Sequence, residues 1–205
     1  MQDTATFDHL GLDPHLLKAV YAMGYEAPTP VQREAIPVIL KGHDVIGPAP
    51  TGSGKTAAFV LPILQRLMRQ PPGLTRALIL SPTRELAAQT EAAFHQLGKG
   101  TRVRAHSVYG GVGMGPQEHA LRSGVDVVIA TPGRLLDHMG RRTGDFRSLQ
   151  VLVLDEADRM LDMGFLPDVR RIIGALPRAR QTLLFSATMP QEIEALSRSI
   201  MRDPL

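Results

Sequence analysis

Val151-Leu152-Val153-Leu154-Asp155-Glu156-Ala157-Asp158 is an apolar run that passes without a spacer into a cluster of carboxylates. An apolar run with no polar alternation predicts a strand buried on both faces, the pattern of a parallel sheet covered by helices. Further β-rich runs fall at 44–46, 77–80, 103–107, 125–130 and 182–185, and helical stretches near 55–68, 84–97, 115–122, 133–139, 166–176 and 191–200 separate them. This alternation predicts a doubly wound α/β domain: a mostly parallel central β-sheet with helices on both faces. Ligands in such sheets bind beyond the carboxyl ends of the strands, where Asp155 and Glu156 fall.

Upstream, the run Ala49-Pro50-Thr51-Gly52-Ser53-Gly54-Lys55-Thr56 stands between a predicted strand and a predicted helix. Gly52 and Gly54 let the backbone curl so that successive N–H groups face phosphates, Lys55 reaches the β/γ oxygens, and the Thr56 hydroxyl suits magnesium. Asp155 then suits a magnesium partner, directly or through water, and Glu156 a base that orients the attacking water. The cradle alone also fits a glycine turn before a helix. The acidic cluster alone also fits helix capping favoured by the macrodipole, Asp158 in particular. Their pairing, in this order, points to a P-loop nucleotide-hydrolysing site.

The 205 residues fit one domain, and 43% hydrophobic with 21% charged residues is globular composition. The chain has no cysteine, so disulfides and thiolate chemistry are excluded. Met1-Gln2-Asp3-Thr4 lacks the features of a signal peptide, and no apolar run approaches the roughly 20 residues of a membrane span. A soluble, cytoplasmic domain is expected. A net charge of +3 decides nothing about nucleic acid by itself. His43, His95 and His138 show no metal-ligand spacing and are expected at the surface. Met160, Met163 and Phe165 are expected in the core, and Arg141-Arg142 and Arg170-Arg171 on solvated faces. Pro71-Pro72-Gly73 and residues 141–145 read as exposed loops.

Toward the amino end, Asp13-Pro14 and Thr29-Pro30 each pair an N-cap with a proline at the first helical position. They predict two helices within residues 1–40, a helical extension of the same domain whose core occupies residues 41–205.

Asp155-Glu156-Ala157-Asp158 is the name-giving motif of the DEAD-box RNA helicases, and from about Phe7 onward the chain resembles the first RecA-like domain of that family. Gly24-Tyr25-Glu26-Ala27-Pro28-Thr29-Pro30-Val31-Gln32 resembles its Q motif, which implies adenine recognition. A carboxamide at Gln32 can donate to N7 and accept from the N6 amino group; an aromatic ring, Phe7 or Tyr25, would stack on the base. Ser186-Ala187-Thr188 resembles motif III, whose hydroxyls hydrogen-bond the acidic cluster and couple hydrolysis to domain movement; on its own it reads as an ordinary helix entry. Pro82-Thr83-Arg84-Glu85-Leu86-Ala87, Gly110-Gly111 and Thr131-Pro132-Gly133-Arg134 resemble the RNA-contacting motifs. Helix N-termini with adjacent Arg84 and Arg134 offer anion sites, and the glycines permit close backbone approach. Separately, these segments also read as helix starts and a turn, with Arg84 and Glu85 paired on the surface. Contacts to the RNA backbone imply little sequence specificity.

The cradle departs from the family pattern. It opens with Ala49 rather than glycine, and Pro48 and Pro50 flank it where the family often carries glutamine or another flexible residue, which stiffens the entry and removes two N–H groups. The resemblance implies ATP and Mg2+ as ligands and RNA as partner. It also implies a second RecA-like domain supplying arginine fingers; no histidine-arginine-glycine-arginine run occurs in these residues. The chain alone is therefore expected to bind nucleotide without unwinding, since losing an arginine finger removes on the order of 10³ or more in rate. The stretch Asp158-Arg159-Met160-Leu161-Asp162-Met163-Gly164-Phe165 is similar to bacterial, RhlE-like members. Two other readings are an ATP-gated RNA clamp without turnover, against which Glu156 argues, and a DNA helicase of the same superfamily, against which Gln32 argues.

Overall fold

The computed structural model describes residues 6–205. Its strands are β1 (Val45–Pro48), β2 (Ala77–Leu80), β3 (Ala105–Val108), β4 (Val127–Ala130), β5 (Val151–Asp155) and β6 (Gln181–Ser186). They form one six-stranded sheet in the order β1-β6-β5-β2-β4-β3, with every neighbouring pair parallel. The helices are α1 (Pro14–Ala22), α2 (Pro30–Leu40), α3 (Lys55–Leu67), α4 (Arg84–Leu97), α5 (Met114–Arg122), α6 (Pro132–Gly140), α7 (Ala157–Asp162), α8 (Leu166–Gly174) and α9 (Gln191–Ile200). None of the described helices is long and apolar enough to cross a membrane.

Strand side chains alternate between the two faces, and here both faces are buried. Ile79, Val127, Ile129, Val151, Val153, Leu183 and Phe185 join one core with α2, α3 and α4. Leu78, Leu80, Val128, Leu152, Leu154 and Leu184 join a second with residues of α6, α8 and α9. This two-sided burial is why the strands read as continuous apolar runs. Phe7, Leu10, Leu16, Val20, Ile36 and Ile39 belong to the first core, so the amino-terminal helices share it with the sheet.

Both proline-marked helix starts have the expected caps. The Asp13 carboxylate accepts from the His15 amide at 3.0 Å. Thr29 and Gln32 form a reciprocal capping box, in which the Thr29 amide donates to Gln32 Oε1 at 2.9 Å. A 3-10 turn, Phe7–Leu10, and the short helix α7 carry too few residues to show a periodicity in the sequence. Strand β1 begins one residue later and ends two residues later than the expected 44–46, finishing on Pro48. An edge strand tolerates that proline, because the N–H it lacks belongs to the unpaired side.

Several surface and core expectations are corrected. His138 is fully buried rather than exposed, whereas His43 and His95 are exposed. Met163 is 46% exposed, because it follows the last turn of α7 between the exposed Asp162 and Gly164; Met160 is in the core and Phe165 half-buried.

Gly47 in β1 faces the Phe185 ring on β6: a Cβ there would lie 2.5 Å from two ring carbons. The ring cannot retreat, since it packs on Phe59 with centroids 5.6 Å apart. Gly47→Ala should therefore lower unfolding stability by about 1–3 kcal/mol, read as a lower denaturant midpoint; an unchanged midpoint would show that the ring has room to move.

Candidate nucleotide site and anion-binding rim

Apart from residues 24–32, which lie between α1 and the first turn of α2 ahead of β1, the expected motifs lie on one rim, because each sits at or follows the carboxyl end of a strand: residues 49–56 follow β1, 81–84 β2, 110–111 β3, 131–134 β4, 156–158 β5 and 187–188 β6. Order in the sheet divides the rim. The ends of β1, β6 and β5 carry the cradle and the acids, and the ends of β2, β4 and β3 carry the anion-site motifs.

The cradle climbs from β1 into α3, whose N-cap is Gly54 at φ +90°, a left-handed conformation that suits glycine. The Ala49 amide, between the two prolines, donates to the Ser186 carbonyl at 3.0 Å and ties the exit of β1 to β6. Thr51 and Gly52 are exposed, Ser53 and Thr56 half-exposed, and the Ser53 hydroxyl has no hydrogen-bond partner. Pro50 is exposed and its carbonyl accepts from the Ser53 amide at 3.2 Å.

Lys55, 5% exposed, points its ammonium at both acids. Nζ lies 2.9 Å from Glu156 Oε1 and 3.5 Å from Asp155 Oδ1. The Thr51 hydroxyl donates to the same Glu156 Oε1 at 2.7 Å, and Arg159 Nη1 donates to Oε2 at 3.3 Å. Burial works to raise the pKa of Glu156, but its bonds to Lys55, Thr51 and Arg159 outweigh this and hold the carboxyl below its ordinary value. Burial dominates at Asp155: despite Lys55, its pKa is pushed up to about 6. Asp155 Oδ1 is buried and accepts no hydrogen bond. A buried carboxylate oxygen whose cationic neighbour, Lys55, stands 3.5 Å away is suited to a cation; Thr51 and Thr56 both bring cradle hydroxyls to this cleft, and that of Thr51 is already bonded to Glu156.

Glu156 itself has φ 54° and ψ 55°, left-handed for a residue with a side chain. Such a conformation costs on the order of 1–3 kcal/mol and persists where its surroundings over-determine it. Here it turns the chain from β5 into α7 and leaves adjacent carboxylates facing the cradle. Asp158 lies one turn on. Its amide donates to the Ser186 hydroxyl at 3.0 Å, and its Oδ2 accepts from both the amide and hydroxyl of Thr188 at 2.9 Å. Ser186 and Thr188 thus hold the acidic cluster from β6.

The cleft measures about 490 Å³, and Tyr25, Thr29, Gln32, Lys55, Asp155 and Glu156 are among its lining residues. Gln32 Nε2 donates to the Gly54 carbonyl at 3.0 Å. The amide therefore links the residues 24–32 segment to the cradle and retains one N–H and one lone pair for a ligand. Tyr25 is 36% exposed at the cleft, while Phe7 is fully buried behind it with ring centroids 6.3 Å apart. Sequence reasoning missed Leu86, Gln89 and Thr90, which line the cleft from α4. Their i, i+3, i+4 spacing marks one helix face and was the available signal. Arg159 was also missed, and its signal was the same i, i+3 relation to Glu156.

On the other half of the rim, Thr83 caps α4 by accepting from the Leu86 amide at 3.3 Å, and Pro82 is buried beneath the helix start. Arg84 and Glu85 do pair on the surface, Nε to Oε1 at 2.7 Å. Thr131 caps α6 without a side-chain bond to the helix, so its hydroxyl remains available above Pro132 and Gly133. Three expected segments meet at the turn 110–112. A Cβ built on Gly111 would lie 3.4 Å from Arg84 Nη1, and Arg134 Nη1 donates to the Val112 carbonyl at 3.0 Å.

A parallel sheet with a P-loop at β1, an acid pair at β5 and hydroxyl supports at β6 defines a RecA-like P-loop NTPase fold. The DEAD/DEAH box helicase family model matches residues 29–196, and the chain belongs to that family. It is 50% identical over 97% of its length to an ATP-dependent RNA helicase CshA of Limosilactobacillus reuteri, covering 40% of that protein. It is 51% identical over 98% of its length to an ATP-dependent rRNA helicase rrp3 of Aspergillus niger, covering 43% of it. A DEAD box protein from the hyperthermophile Methanococcus jannaschii superposes with a TM-score of 0.92 at 39% identity, over 98% of this chain and 55% of that one. The chain thus spans about two-fifths of the length of these curated relatives. Bacterial and fungal relatives stand at equal identity, so the bacterial subtype is not singled out.

A Cβ on Gly54 would meet Gln32 Nε2 at 2.6 Å and Thr29 Oγ1 at 2.9 Å. With the left-handed φ, Gly54→Ala is expected to weaken nucleotide binding about tenfold or more while the far-ultraviolet circular dichroism stays unchanged. Titration with a fluorescent ATP analogue reads this, and wild-type affinity would contradict the tie between Gln32 and the cradle.

Proposed function

We propose that this chain is the ATP- and RNA-binding half of an ATP-dependent RNA helicase that separates short RNA duplexes together with a second RecA-like domain. The supporting observation is the placement of Lys55 against Asp155 and Glu156 in a cleft that also contains Gln32 and Tyr25. Tyr25 is the exposed ring at the cleft and stacks on adenine, with Phe7 packed behind it. Gln32 reads the base with its remaining donor and acceptor. The amides from Gly52 onward cradle the phosphates.

Thr56 and Asp155 would hold Mg2+, which would supply charge neutralisation at the β/γ-phosphates. Glu156 is the base for the attacking water, and its oxygens accept from Lys55, Thr51 and Arg159. Phosphate oxygens compete for Lys55, so nucleotide binding frees one lone pair of Oε1 to accept a proton while Thr51 still bonds the same oxygen. Asp158, held by Ser186 and Thr188, transmits the state of the acid pair to β6. RNA lies against Thr83, Arg84, Gly110, Gly111, Thr131, Gly133 and Arg134, with Pro82 and Pro132 shaping the two helix starts and Glu85 orienting Arg84. These are backbone contacts with little base selection. By itself the chain binds nucleotide and unwinds nothing. The resemblance of residues 158–165 to RhlE-like members supports a place in the bacterial branch.

In the full-length protein, Glu156→Gln should lower RNA-stimulated ATPase by about 10²–10⁴-fold and leave ATP affinity within a few-fold. Unchanged turnover would remove Glu156 from the reaction. Gln32→Ala should erase the preference for ATP over GTP in binding to this chain. Stimulation by DNA rather than RNA would overturn the choice of nucleic acid.

A further inference from the structure

The buried His138 side chain plays no part in the chemistry above, yet it ends a chain of hydrogen bonds that leads to the rim. It lies on α6, one turn after Arg134, with no exposed surface. Its Nε2 is 3.1 Å from Gln117 Oε1 on α5, and its Nδ1 is 2.9 Å from the Thr143 hydroxyl. Gln117, itself 4% exposed, donates from Nε2 to the Tyr109 carbonyl at 3.0 Å. Because that carbonyl only accepts, the amide of Gln117 must face it, and the Gln117 oxygen must face His138. The imidazole proton therefore sits on Nε2, and the single proton of the Thr143 hydroxyl is shared between Nδ1 at 2.9 Å and the His138 carbonyl at 3.1 Å.

The ring is held neutral. Burial lowers its pKa first, Arg134 and Arg141 add to this, and Glu118 and Asp137 oppose it.

Tyr109 immediately precedes Gly110-Gly111, and Val112 follows them. The turn is thus gripped at both ends from α6: through His138 and Gln117 at the Tyr109 carbonyl, and directly by Arg134 at the Val112 carbonyl. Gly111 has φ +84°, so the turn has left-handed freedom that two flanking bonds restrict.

We propose that His138 is a positioning residue for RNA binding: acting through Gln117, it sets the Gly110-Gly111 turn between Arg84 and Arg134. This rests on the RNA assignment made above. His138 touches no RNA itself, and its effect is carried by one donor, the Nε2 proton.

Two substitutions separate that donor from simple packing. The amide of His138→Gln can still donate toward Gln117, whereas the shorter His138→Asn can reach Thr143 but not Gln117. Binding of a fluorescein-labelled single-stranded uridine oligonucleotide to this chain at low salt, followed by anisotropy, should be about tenfold weaker for His138→Asn and near wild type for His138→Gln. Affinity for the fluorescent ATP analogue should be unchanged in both. Amide hydrogen exchange at residues 110–112 should speed up in His138→Asn alone.

Arg134→Ala serves as the control for the RNA assignment. If it weakens RNA binding while His138→Asn matches wild type, the relay is wrong and the RNA surface stands. If the Asn and Gln variants lose RNA and nucleotide affinity alike, His138 only packs the core and the proposal fails. If neither wild type nor Arg134→Ala binds RNA, the RNA assignment fails, and the exchange measurement decides the relay: equal exchange in the Asn and Gln variants overturns it.

Discussion

The ammonium of Lys55 lies between two buried carboxylates, and this contact requires three strands to be in place. Lys55 begins the helix that follows β1, and the acids end β5, two strands away. The strand between them, β6, braces both sides: the Ser186 carbonyl accepts from the cradle at Ala49, and its hydroxyl accepts from Asp158. Groups of this kind are poor devices for stability, because desolvating buried charges offsets much of their attraction. Asp155 shows the tension directly, its pKa being pushed up to about 6 by burial with the ammonium only 3.5 Å away. A cluster held at that cost, beside a glutamate in a left-handed conformation, is a poor stabiliser, which supports the proposed role in hydrolysis.

One helix reaches both halves of the rim. Helix α4 starts at Thr83 and Arg84 beside the Gly110-Gly111 turn, and one turn further on its Leu86, Gln89 and Thr90 line the nucleotide cleft. Helix α6 has a comparable double role on the other side. Its first turn carries the Thr131–Arg134 motif, and its last turn carries the buried histidine. The motifs at strand ends are therefore not independent loops, since the helices they open are packed into the cores of the sheet.

Much of this was legible in the residue order. Continuous apolar runs at 77–80 and 151–154 became central strands at those positions, because central parallel strands admit no polar face. Asp13 and Thr29 capped the helices their prolines announced, because capping is a local interaction within four residues. The boundaries of β1, β3 and β4 shifted, since edges and entries of strands are set by the pairing register. His138 and Met163 were misjudged for one reason: their burial is decided by elements distant in sequence. Gln117, 21 positions away, closes over the histidine together with the nearer Thr143, while the methionine is left 46% exposed.

The sequence by itself determined the chemistry that is available: a glycine cradle with its lysine, an acid pair at a strand end, a carboxamide after a proline-marked turn, and arginines at two helix starts. It determined the strands too, because hydrophobic periodicity and capping act over a few residues. Only the tertiary structure decided that Lys55 faces Glu156 at 2.9 Å, that Gln32 is bonded to Gly54, and that Arg84 and Arg134 meet at one turn. The first two relations join residues 101 and 22 positions apart, and the packing of strands and helices brings them together; spacing along the chain carries no record of it.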